Sequence, residues 1–187
     1  DGLLHLCQVT NTNDAGGGSL RAAIECANNA PEGDRPVVVF AIPESDNRYL
    51  DVDSHLPGGD AEPDVFLIGL ETALPALTRG GILINGQSQQ AQTGDTNPFG
   101  PEIVITGAGL AGNGLELRSS GNHVHGLNIL GFAQDGILIE GRANTVTGSF
   151  LGVDPTGTVA ASNASNGVVI LNGDGNQIGG PGPHDGN

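Results

Sequence analysis

Histidines and carboxylates are the side chains of this 187-residue sequence that could do chemistry, and their spacing narrows which chemistry. Asn122-His-Val-His-Gly126 sets two imidazoles at i and i+2 of a short apolar strand. Such a pair could move a proton or hold a metal. It could equally stand in solvent on the outer face, because no acid is close in sequence. Asp51-Val-Asp53 and Asp60-Ala-Glu62-Pro-Asp64 alternate acids, which an extended loop would turn to one side. Calcium takes six to eight oxygens, and such a loop could supply three. Neither stretch has EF-hand spacing, and a solvated acidic loop fits the same letters. Glycosidic hydrolysis needs two carboxylates facing one groove, roughly 5–9.5 Å apart. The acids on the recurring strand segments are Glu116, Asp135, Glu140, Asp154 and Asp174. Glu116 falls in the outward phase between Leu115 and Leu117, but Leu138 holds the equivalent place 22 residues on, so no ladder of carboxylates forms there. Arg118 and Arg142 beside Asp135 would suit a lyase, or would simply make exposed ion pairs. No catalytic or metal-binding residue is assigned from these patterns, and no cofactor is indicated beyond the open question of calcium at 51–64.

Composition limits the partners. Twenty-one acids face six bases, all arginine, for a net charge of −15. Nucleic-acid phosphate and anionic membrane surfaces would be repelled. The longest apolar run, Val37 to Ile42, is far short of the ~20 residues a membrane-spanning helix needs. Thirty-two glycines and 11 prolines argue against a helical bundle. Cys7 and Cys26 show no zinc-type spacing; a disulfide is preferred over two free thiols, and with it an oxidising compartment. The start at Asp1 reads as a mature product after removal of a signal peptide, although a trimmed chain would look the same. The expected location is extracellular or at the cell surface.

The elements that must position these groups are mostly short strands. Leu3 to Thr10 reads as a first strand. Ser19 is a natural helix N-cap, and Leu20, Ala23, Ile24 and Ala27 follow at i, i+3, i+4 and i+7, a face suited to capping an apolar interior. From Pro36 onward, runs of three to six β-branched residues alternate with Gly, Asn, Asp and Pro. Gly114-Leu-Glu-Leu117 recurs as Gly136-Ile-Leu-Ile139, and Asn122-His-Val124 as Asn144-Thr-Val146, both after 22 residues. A third copy, Gly167-Val-Val-Ile170 and Asn176-Gln-Ile178, follows after a longer insertion. Recurrence at this interval predicts an all-β fold, a right-handed parallel β-helix with coils of about 22 residues and one N-terminal capping helix. Asn122, Asn144 and Asn176 would stack as an amide ladder. One domain spans 1–187: strand and cap helix at 1–35, irregular first coils with the acidic loop at 36–112, regular coils at 113–187. A β-sandwich is the weaker alternative, since it does not require the same letters at a fixed interval.

These segments also carry a family resemblance. Val9-Thr-Asn-Thr-Asn-Asp14 with Gly18-Ser-Leu-Arg-Ala-Ala-Ile24, then Ile82-Leu-Ile-Asn-Gly-Gln-Ser-Gln89, then Gly148-Ser-Phe-Leu-Gly-Val-Asp-Pro-Thr-Gly-Thr158 resemble bacterial secreted and cell-surface right-handed parallel β-helix repeat proteins with an N-terminal CSLREA-type segment. Gly18 stands where the motif has its cysteine. The resemblance implies a surface or extracellular module and leaves function open. The adjacent Asp-Asp and the Gly-His-Gly of polygalacturonase-type sites are missing. The function expected is therefore a non-enzymatic structural protein, the subunit of a filament, matrix or surface layer, or an adhesive module. A polysaccharide lyase or glycoside hydrolase is the alternative. Partners would be further copies stacked head to tail through Leu3, Leu4, Leu6, Val168, Ile170 and Ile178, or other surface components and polysaccharide. The repeat stops after Gly180 where a new strand would begin, so either the chain is cut from a longer β-helix or a second copy docks on that end and continues the stack.

Overall fold

The computed structural model describes residues 2–51, 62–108, 110–182 and 185–187. Its strands are short because each β-branched run is closed by a glycine or a polar turn. They form three sheets. The first has six strands, β1 (Leu4–Val9), β2 (Arg35–Phe40), β5 (Leu83–Asn85), β8 (His123–His125), β11 (Thr145–Thr147) and β14 (Gln177–Ile178), in that order. The second runs β12 (Phe150–Leu151), β9 (Leu127–Leu130), β6 (Ile103–Thr106), β4 (Val65–Gly69) and β3 (Tyr49–Leu50). The third is β13 (Val168–Ile170), β10 (Ile137–Ile139) and β7 (Leu115–Leu117). All ladders are parallel except β3 on β4. Helix α1 (Leu20–Asn28) follows β1; a 3-10 turn (Gly86–Gln89) runs into the short α2 (Gln90–Thr93).

An all-β parallel β-helix with coils of about 22 residues is not what forms, and the solenoid expectation is corrected. The three sheets are separate ladders that do not close on one another, and helical segments lie among them. Nor is the interval regular. Along the first sheet Val37 lies beside Leu83, Leu83 beside His123, His123 beside Thr145 and Thr145 beside Gln177, which are steps of 46, 40, 22 and 32 residues. The reason is local. Long segments between strands fold on themselves, as the 3-10 turn and α2 do after β5. The result is an α/β-type arrangement of mostly parallel sheets.

Aliphatic side chains from all three sheets share one core. Val38, Ile84, Val124 and Val146 come from the first sheet, Ile103, Ile105, Leu127 and Ile129 from the second, and Leu115, Leu117, Ile137 and Ile139 from the third. Val168 is half-buried and Ile170 is exposed, because the sheet ends there. Helix α1 buries Leu20, Ala23, Ile24 and Ala27 on this core, and Ser19 accepts a hydrogen bond from the Ala22 N–H at 3.2 Å. Cys7 and Cys26 are joined, tying β1 to that helix. Buried amides satisfy backbone at the start of three strands. The N–H of Asn122 donates to Asn144 Oδ1 (2.9 Å), and that of Asn144 to Asn176 Oδ1 (2.8 Å). Asn122 Oδ1 in turn accepts from Ile82 N–H.

Candidate functional site

The outward face of β8 and β11 carries the two histidines. His123 Nε2 lies 2.8 Å and His125 Nδ1 3.0 Å from Thr147 Oγ1, and His125 Nε2 lies 3.1 Å from Gln87 Oε1. An amide oxygen only accepts, so His125 donates to Gln87 through Nε2. The Thr147 hydroxyl bridges the two rings. Burial, with His125 adding to it, holds His123 below the ordinary imidazole range, against a smaller upward pull from Asp185.

Beside this face the 3-10 turn, α2 and the loop to β6 stand over the glycine turns at Gly126 and Gly148. Between them is an open groove of about 560 Å³. Glu102, the residue before β6, is 1% exposed, and its Oε1 accepts from Gln90 Nε2 at 2.8 Å. Burial raises its carboxyl; the Gln90 bond opposes this and the neighbouring Asp95 adds to it, so the group is pushed up to about 7. Asn97 fixes the loop by donating to the carbonyls of Pro101 and Pro155, both at 3.0 Å, and accepting from Phe99 N–H at 3.2 Å. Phe99 is left 49% exposed at the groove. The Phe150 ring lies against Gly100 and Gly157; a β-carbon at Gly157 would fall 2.9 Å from the ring, and one at Gly100 would collide with it.

The other candidate residues are dispersed. Arg118 pairs with Glu116 (2.8 Å) and Glu140 (3.3 Å), whereas Asp135 accepts from the backbone N–H and side-chain amide of Asn166 (3.0 and 2.7 Å). The grouping a lyase would need is therefore not assembled. Asp154 accepts from Val159 N–H, Thr158 N–H and the Thr156 hydroxyl within its own turn, which holds it below the usual carboxylate range. Most of the acidic stretch proposed for calcium, including Asp53 and Asp60, lies outside the described residues. His5, Cys7 and Cys26 bring ligand atoms within 4.8 Å of one another, but the two sulfurs form the disulfide and offer no thiolate. Leu3, Leu4 and Leu6 are exposed on β1 and just before it; Ile170 and Ile178 are exposed at the far end. Sequence reasoning missed Gln90, Asp95, Phe99 and Glu102. The available signal was an acid placed directly before an apolar strand, Pro101-Glu102-Ile103-Val104-Ile105.

No family model, curated protein or solved structure matches this chain. Among the described residues no helix is long and apolar enough to cross a membrane.

Proposed function

We propose that this chain is a non-catalytic structural protein of the cell exterior that joins to further copies of itself end to end. The observation that carries the reading is a set of exposed apolar side chains at both ends of the parallel ladders. β1 and β14 are the opposite edge strands of the six-stranded sheet. Around β1, Leu3, Leu4 and Leu6 are 77%, 60% and 58% exposed; at the far end β14 presents Ile178, and β13, the edge of the three-stranded sheet, presents Ile170 with Leu171 after it. All neighbours in that sheet run parallel, so the β1 strand of a second copy can add beside β14 in the sense already used. Proteins commonly guard such edges with lysine, and this chain has none, all six of its bases being arginine. Contact between two different patches is heterologous and propagates into filaments when it does not close into a ring. The Cys7–Cys26 disulfide fits an oxidising compartment, and the CSLREA-type resemblance of the first 24 residues points the same way.

Sedimentation velocity from micromolar to millimolar protein tests the reading. The expected outcome is growth of larger species with concentration, abolished by Ile178→Lys with the circular dichroism unchanged. A single sharp monomer across the whole range overturns it.

A further inference from the structure

The groove beside the histidine face is lined largely by side chains that the proposed end-to-end contact does not use, and they are specific enough to indicate a ligand class. We propose that it is a binding site for neutral saccharide, with Phe99 as the stacking platform and Gln87, Gln90 and Asp95 as the hydroxyl-binding groups.

Shape comes first. A volume of about 560 Å³ lies within the ordinary range of ligand sites. The groove is held open by rigid parts. Asn97 ties its loop to Pro101 and to Pro155 of a distant segment, and Phe150 is fixed over two glycines that leave room for nothing larger. The side chains that line the groove offer two kinds of contact. Phe99 presents half its surface to solvent although its neighbours Thr96 and Asn97 are buried. An aromatic face of that kind suits a ligand with an apolar side, as the C–H face of a pyranose ring has. Around it stand mixed donors and acceptors. The Gln87 amide oxygen holds His125 and leaves its NH2 for a ligand; the Gln90 NH2 holds Glu102 and leaves its oxygen. Vicinal hydroxyls both donate and accept, and paired amide and carboxyl groups match them.

Charge excludes the acidic alternatives. Among the described residues no arginine lines the groove, Asp95 does, and the whole chain carries −15. A uronate or phosphate would meet repulsion with no cation to bind it. Glu102, buried beside the groove, holds the Gln90 amide in place.

The experiment is a titration of the intact protein by two-dimensional NMR with neutral hexasaccharides of β-1,4-glucose, β-1,3-glucose, β-1,4-N-acetylglucosamine and α-mannose, with hexagalacturonate as the anionic control. The expected result is saturable shifts in Gln87–Gln90, Asp95–Glu102 and His125–Gly126 with at least one neutral hexamer. Phe99→Ala should weaken that binding roughly tenfold, as loss of an aromatic anchor does, and Phe99→Trp should retain it. Because Phe99 is exposed, neither variant should change thermal stability. Absence of binding across the neutral panel, binding of hexagalacturonate alone, or full affinity in Phe99→Ala each overturns the proposal. The assembly reading has its own variant and readout, so either can fail without the other.

Discussion

At the residue scale, two buried polar groups each cost stability, one only above a certain pH and the other at every pH. Glu102 has its folded-state value raised from 4.5 to about 7. The folded protein thus binds more protons than the unfolded chain between those values, so its stability falls as pH rises through that window and stays lower above it. A shift of that size corresponds to about 3 kcal/mol. Glu102→Gln keeps an acceptor for Gln90 and has no charge to desolvate. It should match the parent near pH 4 and exceed it in urea unfolding at pH 8. His123 acts the other way: its depressed value costs stability as pH falls below its ordinary 6.5, equally in both proteins, and so drops out of the comparison. Asn128 is fully buried in β9 beside Phe150, and among the described residues neither its amide nitrogen nor its oxygen has a partner. Replacing an unsatisfied buried amide by an apolar group of similar size removes its desolvation penalty. Asn128→Leu should raise stability by about 1–3 kcal/mol, visible as a higher midpoint in denaturant.

At the element scale, β1 and α1 depend on each other. β1 pairs on one side only, with β2, and α1 is nine residues long, short for a helix that must stand alone. Their shared core contact and the bond from Cys7 to Cys26, 19 residues apart in sequence, hold them together. Cross-linking a loop of that size contributes about 3 kcal/mol by restricting the unfolded chain. Replacing both cysteines by serine should lower unfolding stability by about that amount. Hydrogen exchange should quicken first in β1 and α1, while the β8–β11 pairing stays protected. Uniform exchange across the protein would show that the first strand and helix are not a separate unit.

At the scale of the whole molecule, charge and edges compete. Two copies at −15 each repel over the roughly 10 Å that ions leave unscreened at 0.1 M salt. The proposed contact between strands is short-ranged and apolar. Association in the sedimentation experiment should therefore strengthen from low to physiological salt, and weakening with salt would point to ion pairs as its basis.

The sequence by itself determined what depends on near neighbours. The spacing of Leu20, Ala23, Ile24 and Ala27 is the face that α1 buries, because helical period and burial are one geometric fact. The 22-residue recurrence is the register that sets Leu115 beside Ile137 and His123 beside Thr145, since like strands in a parallel ladder place like residues together. Tertiary structure decided the rest. That register spans only part of the chain, because the segments between strands fold locally and make the intervals unequal, which is why a uniform solenoid did not follow from it. Glu102 and Phe99 share no motif with His125, and their sequence letters are ordinary. They meet only because the loop before β6 folds back over the turn at Gly126, held by Asn97 reaching to Pro155, 58 residues away. No local spacing encodes that contact.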